Sequence, residues 1–388
     1  MRGDMLVCAR AMIRVVLSAA NGTKVGNEIC FYLSWVAKQT LQLRGVMGMR
    51  NMLRRCLLLL FVMSFPLTAQ ASQLGIAGEY NAFLLDSISI FSTDIEGRAA
   101  AGGEAYFGKN GKDDGFAVAS KVSVSNPMLP ELVVGGNLKM ENGSVGYNYG
   151  DPQAANYQKG TIYYGGSKAE IADNVGKGAV IQGTPIDFLK EGNYLKSMSS
   201  SWGGLSATGS TNFIDSYGRE VSFSGSNKDL NVFYIDYDYF SSLKESDPLD
   251  LGSGWKIKAP ENATILFNVA GKDIDFSNIG FYFNGINASD PAQEPLFPDH
   301  LILWNFFEAA TLDMELIGVQ GSVLAPWADI MFTNCSVDGS LIALSLSGDG
   351  EPHNKLFKGE IPVPEPATLI LLGSGLAGIA ALRRRKTN

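Results

Sequence analysis

Gln320-Gly-Ser-Val-Leu-Ala325 recurs eighteen residues later as Asp338-Gly-Ser-Leu-Ile-Ala343. An earlier copy is Glu96-Gly-Arg-Ala-Ala-Ala101. The shared order is an acid or amide, Gly, Arg or Ser, two apolar residues and Ala. Eighteen residues suit one turn of a small parallel β-solenoid, in which each coil lays a short strand on the same side. Gly is then expected at a corner that needs positive φ, and Ala in a narrow interior. Gly321 and Gly339 become equivalent corners, and Ala325 and Ala343 equivalent core positions.

A second echo supports stacking. Apolar pairs precede Gly-Gly at Ala100-Ala101-Gly-Gly103, Val133-Val134-Gly-Gly136 and Tyr163-Tyr164-Gly-Gly166, with spacings of 33 and 30 that predict two coils each. Alternating strands are expected at Ser87–Phe91, Val118–Val124, Val221–Phe223 and Val232–Phe240, separated by Gly, Asn, Asp and Ser. No long helical period competes. The expected fold is mainly β, a right-handed parallel β-solenoid with an inserted β-rich segment. A β-sandwich with chance glycine repeats is the competing architecture.

Both ends of the chain address a membrane. Met49-Arg-Asn-Met-Leu-Arg-Arg55 is a basic start, Cys56–Phe65 a short apolar stretch, and Ala69-Gln70-Ala71 a small-residue cleavage site, which together predict a signal peptide over 49–71. Residues 1–48 would bury that signal, so they read as an upstream extension with translation starting at Met47 or Met49. At the other end, Pro364-Glu365-Pro366 precedes an uncharged run from Ala367 to Leu382 that stops at Arg383, Arg384, Arg385 and Lys386. Flanking prolines keep Glu365 extended and strip donors from the backbone. Sixteen apolar residues make a helix of roughly 24 Å, which snorkelling arginines extend toward the bilayer's roughly 30 Å core. The cations fix that end in the cytoplasm. Residues 362–388 closely resemble the PEP-CTERM sorting signal of Gram-negative bacteria, which implies recognition by an exosortase. A plain anchor would not need Pro-Glu-Pro.

Between these segments, residues 72–361 carry 18 Lys/Arg against 36 Asp/Glu, a formal net charge of −18. Such a surface repels nucleic acid and anionic lipid and attracts divalent cations. Cys8, Cys30 and Cys56 fall in the removed part, which leaves Cys335 without an internal disulfide partner or a thiolate metal cluster.

Residues 74–360 also resemble the choice-of-anchor A family of bacterial surface domains. One block is Ala82-Phe83-Leu84 with Ser92-Thr-Asp-Ile-Glu-Gly-Arg-Ala-Ala-Ala-Gly-Gly103. The other runs from Leu301-Ile-Leu-Trp-Asn-Phe306 through Glu308-Ala309, Gly321–Pro326 and Asp338-Gly339 to Gly350-Glu-Pro-His-Asn354. The match fades between about Gly192 and Pro260, the expected place for an inserted hairpin layer or a variable face. The resemblance implies an adhesin with no catalytic residues to carry over.

Chemistry is sparse in the residues themselves. The two histidines, His300 and His353, lie in no ligand spacing or triad-like motif. Asp299-His300 reads as a turn after Pro298 ahead of a buried strand, with half of an acid–base pair as the alternative. Lys109-Asn-Gly-Lys-Asp-Asp-Gly115 offers oxygen ligands for calcium, against two lysines and no distal bidentate Glu. Tyr237 and Tyr239 share one side of a strand opposite Asp236 and Asp238, so they are candidates for stacking on sugar rings or simply for the core.

The reading is an exported adhesin or matrix protein that binds exopolysaccharide or a cell-surface ligand after exosortase processing, without catalysis. The alternative is an ice-binding or polysaccharide-acting solenoid, since Gly-Ser-Val-Leu-Ala resembles ice-binding β-solenoids. Against it, the chain has no Thr-x-Thr.

Overall fold

The computed structural model describes residues 73–108, 115–122, 129–147, 158–214, 220–238 and 254–362. The expected extension 1–48, the expected signal peptide with Ala69 and Ala71, the expected sorting residues Pro364, Glu365, Pro366 and Arg383–Arg385, Tyr239 and most of the 109–115 loop lie outside them. Among the described residues no helix is long and apolar enough to cross a membrane.

The chain winds as a parallel β-solenoid with three sides. The first coils are β1 (Ala82–Leu84), β2 (Ile88–Ile90) and β3 (Thr93–Ile95), then β4 (Ala99–Ala101), β5 (Ala105–Phe107) and β6 (Phe116–Val118). Next come β7 (Leu132–Val134), β8 (Leu138–Met140) and β9 (Gly143–Tyr147) with β10 (Gln158–Lys159), then β11 (Ile162–Tyr164), β12 (Ala169–Ile171) and β13 (Val180–Gln182). Helix α1 (Phe188–Gly203) follows. The second series is β14 (Ser210–Ile214), β15 (Glu220–Ser224), β16 (Leu230–Asp236), β17 (Trp255–Lys258), β18 (Thr264–Ala270), β19 (Asp273–Asp275), β20 (Phe281–Phe283) and β21 (Ile286–Asn287). It closes with β22 (Ile302–Phe306), β23 (Thr311–Glu315), β24 (Gly318–Gln320), β25 (Ser322–Thr333), β26 (Ser336–Asp338), β27 (Leu341–Gly348) and β28 (Glu351–His353).

The stacking order departs from chain order. One side runs β13-β11-β7-β4-β1-β27-β25-β22-β18-β16. The first series therefore grows outward from β1. After α1 the chain starts at the far end and winds back until β27 inserts between β1 and β25, pairing Leu341 with Ala82. A second side repeats the pattern as β12-β8-β5-β2-β27-β25-β23-β19. β25 spans both sides through a register shift between Ala325 and Asp329, where Pro326 has no ladder donor to lose.

The eighteen-residue repeat is one coil, as expected: Gln320 pairs with Asp338, and Ala325 with Ala343. Ala343 also faces Leu84, and Leu84 faces Ala101, so all three repeat copies share one register. The corners are small for two reasons. Gly321 has φ +110, but Gly339 is required by close approach, because a Cβ there would lie 2.6 Å from the Gly321 carbonyl. The 33- and 30-residue spacings are one coil each, not two, since Ala99 pairs with Leu132 and Leu132 with Ile162. The expected strand 118–124 is also displaced: β6 ends at Val118 because Ala119 adopts φ +62 and turns the chain.

Helix α1 is the main element that periodicity did not reveal. Its sequence, Phe-Leu-Lys-Glu-Gly-Asn-Tyr-Leu-Lys-Ser-Met-Ser-Ser-Ser-Trp-Gly, is half polar. Even so, Leu195, Met198, Ser199 and Trp202 form one buried stripe. The Asp187 carboxylate caps its start by accepting from Lys190 N at 3.0 Å. The stripe covers the outer surface of the first side, burying Phe83, Val133, Leu266, Leu303, Leu324 and Ile342. At roughly 1.5–3 kcal/mol per large apolar side chain, this layer is a major source of stability. A polar clamp fixes the helix: Ser199 Oγ donates to Asn305 Oδ1 at 2.6 Å, Asn305 Nδ2 to Asn268 Oδ1 at 2.9 Å, and Asn268 Nδ2 to the Trp202 carbonyl at 2.7 Å.

Inside the coils the filling changes along the stack. Ala82, Ala99, Ala101 and Ala105 keep the first coils narrow, whereas Phe223, Phe267, Trp255 and Trp304 fill the far ones. The rings of Phe267 and Trp304 stack at 4.0 Å, and the Trp304 indole donates to the Gln320 carbonyl at 2.8 Å. The segment around 192–260 is thus a helix plus the terminal coils, with the expected hairpin present as β14–β15.

Candidate functional site

With the middle of one side covered by α1, the second side faces solvent along its length. The register lines up Glu170, Lys139, Tyr106, Ser89, Ser347, Met331, Asp313 and Asp275 as an outward row, on strands about 4.8 Å apart. Beside it run Ser345, Asp329, Thr311 and Asp273. Its β2–β12 half mixes charges: Lys139 Nζ lies 2.7 Å from Glu141 and 4.7 Å from the centre of the Tyr106 ring. The β19–β25 half is acidic, with Asp273, Asp275, Asp313, Glu315 and Asp329 all exposed. This side is a polar, nearly unbroken sheet surface on which a long polymer could lie.

Tyr237 does not belong to it. Its residue is 9% exposed and its hydroxyl accepts from Asp275 N at 2.9 Å. The alternation of β16 runs on into it: Phe233 and Ile235 point inward and Tyr234 and Asp236 outward, so Tyr237 joins the core, the second of its two expected places. The ring on the open side is Tyr106.

The third side is broken into separate ladders, β10-β9-β6-β3, β24-β26-β28 and β14-β15-β17-β20-β21. At the junction the first positions of the repeat converge. Gln320 pairs with Asp338 and Asp338 with His353, while Glu96 accepts from Asn354 N at 3.0 Å. His353 Nδ1 contacts Asp338 and its Nε2 lies 3.6 Å from Glu351. These two carboxylates raise the imidazole to about 10, against the effect of burial, so it is a cation at neutral pH. Asp338 remains below the usual carboxylate range: burial opposes this, but His353 and Lys355 prevail. The Lys355 ammonium contacts Glu294 and lies 2.8 Å from Asp299 and 3.2 Å from Asp338. Burial pushes Asp94 up to about 6.

Two groups here have metal-ligating geometry, Glu96 with Glu351 and His353, and Glu294 with Asp299 and Asp338. A protein cation already serves each. Lys355 sits among the second group, and a charged His353 has no lone pair to offer in the first. Asp299 thus pairs with Lys355, while His300 follows it in a short 3-10 turn leading into β22. Cys335 is a half-buried thiol whose desolvation pushes it up to about 12, donating to the Met314 carbonyl at 3.2 Å, and so is not a thiolate nucleophile at neutral pH. The sequence offered one signal for this cluster: the acid-or-amide position ahead of each repeat glycine.

Comparison with known proteins gives two family matches. Residues 73–354 match the family described as "Putative Ice-binding-like adhesive domain", and residues 362–386 match the PEP-CTERM protein-sorting motif. No match is found among curated protein sequences. Among solved structures, the chain is similar to a glycosylated ice-binding protein from an Arctic yeast, at 10% identity and TM-score 0.31, covering 76% of this chain and 96% of that one. It is also similar to an ice-binding protein from the Antarctic ascomycete Antarctomyces psychrotrophicus, at 11% identity and TM-score 0.26, covering 72% and 98%. Because the first family match spans most of the chain, the protein belongs to the ice-binding-like adhesive domain family and carries a PEP-CTERM sorting motif behind that domain.

Proposed function

We propose that this protein is an exported adhesin or matrix component that, after exosortase processing, holds exopolysaccharide or a neighbouring cell surface without catalysis. The observation that carries the reading is the asymmetry of the solenoid: the middle of one side is covered by α1, while another side presents eight strands of outward, mostly polar residues. A long polymer can contact many coils of such a side at once, and display of many copies multiplies weak contacts into avidity. The tail and the acidic middle segment fit an exterior location. Calcium bridging would relieve repulsion between the acidic half of the side and an acidic polymer.

Ice binding draws less support from the open side, where charged residues and Met331 occupy the row that threonines would need. The test is a pull-down of native exopolysaccharide by purified 72–361 with and without chelator, beside reducing-end release and ice-recrystallisation assays. Retention of polymer without sugar release is expected. Sugar release, or ice shaping at micromolar protein, sinks the reading.

A further inference from the structure

We propose that the cleft on the third side, between β20 and the β24-β26-β28 ladder, is a binding site for a neutral, hydroxyl-rich saccharide unit. The proposal rests on the polysaccharide reading and gives it a specific pocket, separate from the open side.

The cleft has a volume of about 530 Å³ and is lined by Gln320, Asp338, Glu351, His353 and Lys355 together with the apolar Ile279 and Phe281. Gln320 is 5% exposed. Its Nε2 donates to Asp338 Oδ2 at 3.0 Å, which fixes the amide, because the flipped form would set two oxygens against each other. Its Oε1 then meets no donor among the described residues. A buried acceptor without a donor is costly, and a hydroxyl supplies the missing hydrogen.

The surrounding charges narrow the ligand class. A divalent cation has no place, because Lys355 and the charged His353 already occupy the two carboxylate groups. An anionic sugar is disfavoured, because Glu96, Glu294, Asp338 and Glu351 outnumber Lys121, His353 and Lys355 around the cleft. Sugar hydroxyls both donate and accept, so they can bond carboxylates, ammonium groups and the Gln320 carbonyl together. Ile279 and Phe281, 6% and 1% exposed, only floor the cleft, so recognition falls to the polar groups around it. The pocket lies where the third-side ladder is interrupted, which leaves room for a unit of a longer chain to enter from outside.

The test uses calorimetric titration of 72–361 with cellotetraose, mannotetraose, oligogalacturonate and calcium chloride, on the wild type, Gln320→Met, Glu351→Gln and Leu189→Ala, a change at an exposed residue of α1 away from both the cleft and the open side. The Gln320 side-chain amide is followed by NMR in the wild type, so the assignment survives if Gln320→Met fails to fold. The expected result is binding of a neutral tetrasaccharide that shifts the Gln320 amide and weakens at least tenfold in both cleft variants but less than twofold in Leu189→Ala. Equal binding by wild type and cleft variants, an unmoved Gln320 amide, or a response only to oligogalacturonate or calcium overturns the cleft assignment. If polymer pull-down persists in those cases, the adhesin reading stands alone; if it is also lost, both fall.

Discussion

The backbone amide of Ile361 donates to Gln73 Oε1 at 2.6 Å, joining residues 288 positions apart. The two ends of the domain therefore leave from one place beneath α1. Trp202 Nε1 reinforces the contact by donating to the Pro362 carbonyl at 3.0 Å, and Phe357 and Ile361 are buried in the same layer. Replacing Ile361 with Asp should bury a charge beside apolar groups and cost about 2–4 kcal/mol in chemical denaturation. Ile361→Val should cost under about 1.5 kcal/mol.

Processing has its own expected outcome. The mature protein should begin near Ser72 and end near Pro364–Pro366 when exosortase is present, as read by intact mass of surface-extracted protein. A recovered chain that still contains Leu369–Lys386 would make the tail an ordinary anchor.

Register can be tested at Ala343, which is fully buried in the column with Ala325, Leu84 and Ala101. Ala343→Phe should overpack the coil by about 1–3 kcal/mol or more, while Ser347→Ala, outward on the same strand, should stay within about 0.5 kcal/mol. Equal thermal midpoints for the two variants would refute the register.

His353 predicts a pH dependence with a definite sign. Its folded pKa of about 10 exceeds the unfolded value of about 6.5, so the native state holds the extra proton between them. That contribution is complete below about pH 6.5 and is lost as pH rises toward 10, with a slope of at most about 1.4 kcal/mol per pH unit. His353→Gln should flatten the decline in urea midpoints over that range. An unchanged slope would show that other groups cause it.

The parts legible in the sequence were those written locally and repeatedly. Asp338-Gly-Ser-Leu-Ile-Ala343 shows its strand, corner and interior residue because each coil must reuse the same geometry. Helix α1 was hidden because one face of Ser and Lys residues needs only Leu195, Met198 and Trp202 to seat it, too sparse a stripe to stand out. The pairing of Ala82 with Leu341 was hidden for a different reason, since no local pattern says which distant coil will be a neighbour. In the third-side cluster, the acids at Glu96 and Asp338 were visible as repeat positions. His353 was not, because it joins their column from the last strand, which lacks the following glycine.

The insertion of β27 between β1 and β25 gives the molecule a keystone. The coil synthesised last occupies the middle of the stack, so a chain interrupted before Leu341 has two raw parallel edges, one on β1 and β2 and one on β25, where the complete protein has none. Such edges invite pairing with other chains. They can close only through contacts across most of the sequence, which is a slow step for a folding chain. Premature termination or clipping near the carboxyl end would thus turn a protein that is discreet at its centre into one that sticks to copies of itself.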